Sequence, residues 1–187
     1  MQIEKLLNPA AYLLKACTLT AGYSKPCRNE KGGVKSIYFI EVDHKSTMTV
    51  VDGEVTTLTL TTGNRAWKYA VEMNTAFFTD TLTGSRENGT LFAAQSLNVI
   101  LNDNQQATRN QMMLLGQNDV IAIVELANGD FEMLGADNGL TIETDERASG
   151  TVKADRSGHT ITMVGEEDQL AYKVDSTIIA ALLIPAS

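Results

Sequence analysis

The chain is poor in the residues that carry most covalent and metal chemistry. It has 2 cysteines and 2 histidines in 187 residues. Cys17, Cys27, His44 and His159 are too few and too scattered for a structural zinc site, which takes four nitrogen or sulfur ligands. Two thiols do not make a disulfide framework either, and the favoured reading is a pair of reduced thiols in an intracellular protein. A Cys–His nucleophile would need one of these cysteines to meet one of these histidines across the fold, and isolated Cys and His residues are usually structural.

Long apolar runs are also missing. The opening MQIEKLLNPAAYLLKAC is broken by Glu4, Asn8 and Lys15, and TIIAALLIPA near the other end is too short to span a bilayer. No secretory signal pattern is present, so the expectation is a soluble protein with no membrane partner. Positive charge is in deficit: 15 Lys and Arg stand against 23 Asp and Glu, a net charge of −8. The basic residues are scattered apart from a loose cluster at Lys25, Arg28, Lys31 and Lys35, which argues against a groove that grips nucleic acid.

Catalytic motifs are absent in the same way. There is no Walker or dinucleotide-binding glycine loop and no Gly-x-Ser-x-Gly. Gly135 to Gly139 lies in no strand-to-helix transition, and Ser149 and Ser157 sit in turns. Asp137-Asn138-Gly139 lacks the alternating ligands of an EF-hand. Glu166-Glu167-Asp168 reads as a solvated hairpin loop, because adjacent carboxylates point apart. Trp67 and Tyr69 share one strand face at a spacing of two, which suits core or interface packing better than ligand stacking. No catalytic, cofactor-binding or metal-binding residue is assigned, no cofactor is expected, and the protein is read as a non-enzyme.

What is present is strand material. The hydrophobic fraction of 43% supports a real core, and 14 glycines with 3 prolines suit a chain of many turns. Threonine is abundant, often in Thr-x-Thr runs, and β-branched residues favour strands. Strands are expected around Lys35 to Val42, on both sides of Asp52-Gly53, in one long or bulged run from Ala66 to Thr83, and in LFAAQSLNVILN. Two more flank Ala127-Asn128-Gly129-Asp130, the strongest hairpin signal in the chain. Residues 79–90 read as a polar loop. Asp103 is placed to cap a helix over residues 104–115, with Gln106 as its capping-box partner and Gly116 as its terminator. Turns every 8–12 residues and no βαβ alternation predict a mainly β protein, an antiparallel β-sandwich or barrel with one short flanking α-helix and terminal arms. The domain is expected over 17–175. Residues 1–16 form an N-terminal arm or short helix, and 176–187 an apolar C-terminal arm.

The order of the turns resembles a family. Cys27, Gly32-Gly33, the strand Val34 to Ile40, Glu87-Asn88-Gly89-Thr90-Leu91-Phe92, the capped helix, the paired strands, Gly135-Ala136-Asp137-Asn138-Gly139-Leu140, Gly150-Thr151, Asp155 and Gly158 together resemble tail tube proteins of tailed bacteriophages. Tubes of contractile injection and type VI secretion systems are related. The likeness runs from about Cys17 to Val174 and rests on the order of motifs that are individually turn chemistry. It implies two packed sheets with a flanking helix, hexameric rings stacked into a tube, other tail proteins as partners, and double-stranded DNA passing through an acidic, hydroxyl-rich lumen without specific binding. It also implies a place in the virion tail after assembly in the host cytoplasm. The segments expected to assemble are Ile178, Ile179, Leu182, Leu183 and Ile184 at one end, Leu6, Leu7, Leu13 and Leu14 at the other, and Arg86 and Glu87 in the polar loop. The alternatives are another ring-forming virion part (tail terminator, neck or baseplate) and a small-ligand-binding β-barrel.

Overall fold

The computed structural model describes residues 21–24 and 31–186. The N-terminal arm with Leu6, Leu7, Leu13 and Leu14, and both Cys17 and Cys27, lie outside the described residues.

Among the described residues eleven strands build two sheets. The first runs through β1 (Val34–Glu41), β2 (Lys45–Val51), β3 (Glu54–Leu60), β4 (Trp67–Ala70), β7 (Val120–Leu126), β8 (Phe131–Leu134) and β11 (Tyr172–Val174). Its spatial order is β2-β3-β11-β8-β7-β1-β4. The second contains β5 (Ala76–Ser85), β6 (Thr90–Leu101), β9 (Thr141–Ala148) and β10 (Gly158–Glu167), in the order β5-β6-β10-β9. Helix α1 covers Gln106–Leu115 and α2 covers Ser176–Leu182. The protein is thus a mainly β, two-sheet sandwich, and the sheets do not close into a barrel. Pairing is antiparallel except between β11 and β3, which run parallel.

Local chemistry accounts for the turns. Asp52 and Gly53 take φ of 51° and 83°, the paired left-handed conformation of a two-residue hairpin, and join β2 to β3. Between β7 and β8 the Asn128 side chain accepts from the backbone N–H of Asp130 at 3.0 Å, fixing the reversal that Asn128-Gly129 signals.

Two apolar layers hold the sheets. Ile37, Phe39, Ala122, Val124 and Leu134 of the larger sheet meet Leu97, Val99, Ile161 and Met163 of the smaller, with Met112 and Leu115 of α1 sealing one end. A second layer lies on the other face of the larger sheet. There Tyr38, Ile40, Ile121, Ile123 and Met133 pack under Ile179 and Leu182 of α2. Strand β7 therefore has no solvent face, which is why its sequence VIAIVEL is apolar without alternation.

Four expectations change in detail. The run from Ala66 to Thr83 is not one strand: Asn74, with φ of 63°, turns the chain between β4 and β5, which belong to different sheets. The loop expected over 79–90 shrinks to the turn between Ser85 and Thr90, because Thr79, Thr81 and Thr83 are outward strand residues. Helix α1 begins at Gln106 and has no side-chain cap hydrogen bond at Gln105. Asp103 instead accepts from the Gln105 N–H at 3.1 Å and the Thr108 hydroxyl at 2.5 Å, and these bonds hold its carboxyl below the usual range. Finally, residues 176–182 of the expected apolar arm are a helix packed on their own domain, with Asp175 accepting from the Thr177 N–H at 2.9 Å as its cap.

Candidate functional site

The smaller sheet turns one face to the core, and among the described residues nothing covers the other. Side chains alternate along each strand, so Ala93, Gln95, Leu97 and Val99 of β6 point inward while Ala94, Ser96 and Asn98 point out. On β10, Ile161 and Met163 are buried and Thr160, Thr162 and Val164 face outward. Register then places Thr79 opposite Ser96, Phe77 opposite Asn98, Thr144 opposite Thr162 and Glu146 opposite Thr160. The open face consequently carries hydroxyl, amide and carboxylate groups among the apolar Phe77, Ile100 and Val164. Thr162 donates to Asn98 Oδ1 at 2.9 Å, and Asn98 Nδ2 donates to Ser96 Oγ at 3.4 Å. The four strands contribute no lysine or arginine to it. Arg156, in the turn before β10, touches its margin by donating to Thr160 Oγ1 at 2.5 Å.

The β5–β6 hairpin runs on past the sandwich. Leu82 and Leu91 sit on the inward side of the hairpin but are 51% and 64% exposed, because nothing of the larger sheet lies beneath them. Arg86 and Glu87 form its tip, where Asn88 N–H donates to Ser85 Oγ at 3.3 Å. Both edges of this sheet, β5 and β9, are unpaired within the described residues.

At the other end of the chain the apolar residues are used internally. Ile179 and Leu182 are buried, Ile178 and Leu183 pack against the same layer, and Ile184 is 67% exposed. The segment is tied down by backbone bonds: Ala66 N–H donates to Leu182 O at 2.7 Å, Gly63 N–H to Ala186 O at 2.8 Å and Ala186 N–H to Asn64 O at 2.9 Å. Two of the three groups of assembly candidates thus lie apart, at a hairpin tip and in a helix on the opposite layer, while Leu6, Leu7, Leu13 and Leu14 lie outside the described residues.

The loop Gly135 to Gly139 does hold an anion, and it is the chain's own. Glu167 is buried, and its carboxylate accepts from the backbone N–H groups of Asp137 at 3.1 Å, Asn138 at 2.9 Å and Gly139 at 3.3 Å. Successive amides pointing into one concavity form an anion nest. Gly165 lets the strand approach this loop: a Cβ there would lie 2.6 Å from the Gly139 carbonyl oxygen. Glu167 is therefore neither a cation ligand nor part of a solvated loop. Among the described residues no group of three or more His, Cys, Asp and Glu is arranged to hold a metal ion.

Two further polar clusters occur. Glu125 of β7 is buried; desolvation pushes its carboxyl up, but hydrogen bonds from Lys35 at 2.5 Å, from Ser36 and from Tyr38 at 3.2 Å outweigh this and hold it below the usual range. His159 is buried at the start of β10, with Nδ1 on the Asp145 carboxylate at 2.9 and 3.1 Å. Trp67 and Tyr69 divide: Tyr69 packs edge-on to Phe39 at 5.0 Å, while Trp67 is 53% exposed under the Arg65 guanidinium at 4.2 Å. The open face, the Glu167 nest and the His159 cluster each join residues far apart in sequence, so none was visible as a local motif.

No protein-family model, curated protein or solved structure matches this chain. No helix among the described residues is long and apolar enough to cross a membrane.

Proposed function

We propose that the protein is a virion structural subunit that forms rings, hexameric in the tail tube reading, whose stacking makes a conduit for DNA. The observation that carries this is the open face of the four-stranded sheet. Its outward residues include Thr, Ser, Asn and Glu beside the apolar Phe77, Ala94, Ile100 and Val164, and its strands place no lysine or arginine there. DNA affinity comes chiefly from Lys and Arg neutralising phosphates. A surface of neutral hydroxyls with scattered carboxylates is suited to let a polyanion slide past. The unpaired edges β5 and β9 suit lateral pairing with neighbouring copies, which would continue the sheet around a ring. The overhanging hairpin, with Leu82 and Leu91 exposed and Arg86 and Glu87 at its tip, suits contact between rings.

The test is assembly of the purified chain. Native mass measurement and negative-stain microscopy at high concentration are expected to show rings or hollow tubes. A strict monomer across the concentration range would overturn the reading. Rings that never stack would favour a terminator, neck or baseplate part. Removing residues 178–187 tests the fold rather than assembly, since Ile179 and Leu182 belong to the core: loss of the folded subunit is expected before any selective loss of assembly.

A further inference from the structure

A groove of about 460 Å³ lies between α1 and the inner end of β9 and β10. Its wall carries Arg109, Arg147 and His159 beside Met112, Met113 and Ile142. The two arginines come from different elements and converge: Arg147 donates to Asn104 Oδ1 at 2.9 Å and Arg109 donates to the same oxygen at 3.3 Å. A neutral amide oxygen does not compensate two guanidinium charges. The ion pairs among the described residues involve Lys35, His44, Lys45, His159 and Lys173, so neither of these arginines has a carboxylate partner there. In a chain of net charge −8, two guanidiniums that meet at one amide oxygen with no carboxylate ion-paired to either are a departure that calls for an anion.

His159 supplies a second, independent sign. Its side chain is only 4% exposed, and Nδ1 faces the Asp145 carboxylate and so carries a proton. Nε2 is buried and has no hydrogen-bond partner among the described residues. A buried polar atom left without a partner is costly, and such atoms are few in folded proteins. His159 and Arg147 are directly opposite in the β9–β10 register, so the two side chains share one face of the sheet, and both residues line the groove. Asp145 is the one acidic residue on the wall, and it is engaged by His159.

We propose that this groove binds a small organic anion. Its oxyanion head, a carboxylate or a phosphate monoester, sits between Arg109 and Arg147. His159 Nε2 lies buried behind the groove surface, and a side-chain rotation at the wall brings a ligand oxygen to it. The apolar body lies along Met112, Met113 (66% exposed) and Ile142. This site is separate from the open sheet face and does not depend on the assembly reading.

The experiment is calorimetric titration of the full chain with hexanoate and with hexyl phosphate, against hexanol and inorganic phosphate, together with the variants Arg147→Gln and Met113→Gln. Arg147 and Met113 are exposed, so both variants are expected to keep the wild-type melting temperature. Saturable binding of at least one alkyl anion is expected, about tenfold tighter than hexanol or inorganic phosphate, weakened about tenfold by Arg147→Gln and less by Met113→Gln. The ¹⁵N resonance of His159 Nε2 is expected to move on binding. Which head binds tighter identifies the ligand as a carboxylate or a phosphate ester. Absence of saturable binding of both alkyl anions, or equal binding by wild type and Arg147→Gln, would overturn the proposal.

Discussion

Strands β7 and β10 occupy matching places, each in the interior of its sheet, and they read differently. In β7 the residues from Val120 to Val124 are all buried, because one face meets the smaller sheet and the other meets α2. In β10, Ile161 and Met163 are buried while Thr160, Thr162 and Val164 face outward. The larger sheet is thus packed on both sides, whereas the smaller sheet is packed on one side and, among the described residues, open on the other. In a mainly β chain, the strands that lose their alternation mark the scaffold, and those that keep it mark where contact with something else can occur.

That contrast can be broken by substitution. Ile123→Ala should have the largest effect, about 2–5 kcal/mol in chemical denaturation, since it deletes buried methylenes where α2 and the sheet leave little room to collapse. A loss below about 1 kcal/mol would show that the second layer packs loosely. Glu167→Ala comes next: it removes the acceptor for three backbone N–H groups and should cost about 1–3 kcal/mol, with Glu167→Gln recovering part of it. Equal stability of the Ala and Gln variants would show that the nest is solvated. Thr162→Lys, on the open face of β10, should change stability by less than about 0.5 kcal/mol. If the face is the wall of a DNA conduit, the same change should raise retention of duplex DNA at low salt, an effect that fades as salt is added. A large stability loss from Thr162→Lys would mean that the face is not free.

Much of the fold was legible in the sequence because local chemistry decided it. Asp52-Gly53 and Asn128-Gly129 announced their hairpins, and Gly116 the end of α1. Thr79, Thr81 and Thr83 fit both the strand run to Thr83 and the polar loop over 79–90, and the inward partners Phe78 and Asp80 decide for the strand. Asn74 turned the chain without a glycine, and the break between β4 and β5 was missed. The second helix was recoverable: Asp175 ahead of Ser176-Thr177-Ile178 is an N-cap signature, outweighed by the apolar look of the run. The candidate sites were not recoverable. Glu167 meets residues 137–139, and Arg109, Arg147 and His159 meet each other, only because the sheets bring distant segments together.

The short strand β11 has a consequence for how the molecule is made. It lies between β3 and β8, and Lys173 pairs with both Glu54 and Glu132. The β2–β3 hairpin closes early by local contacts, yet it joins the larger sheet only through β11. During synthesis, that hairpin must wait for residues 172–174 to leave the ribosome before it can dock, and α2 can seal the sheet only after that. A fold whose keystone is made so late pairs segments at long sequence separation, which slows folding and leaves the edge of β3 open to other chains meanwhile.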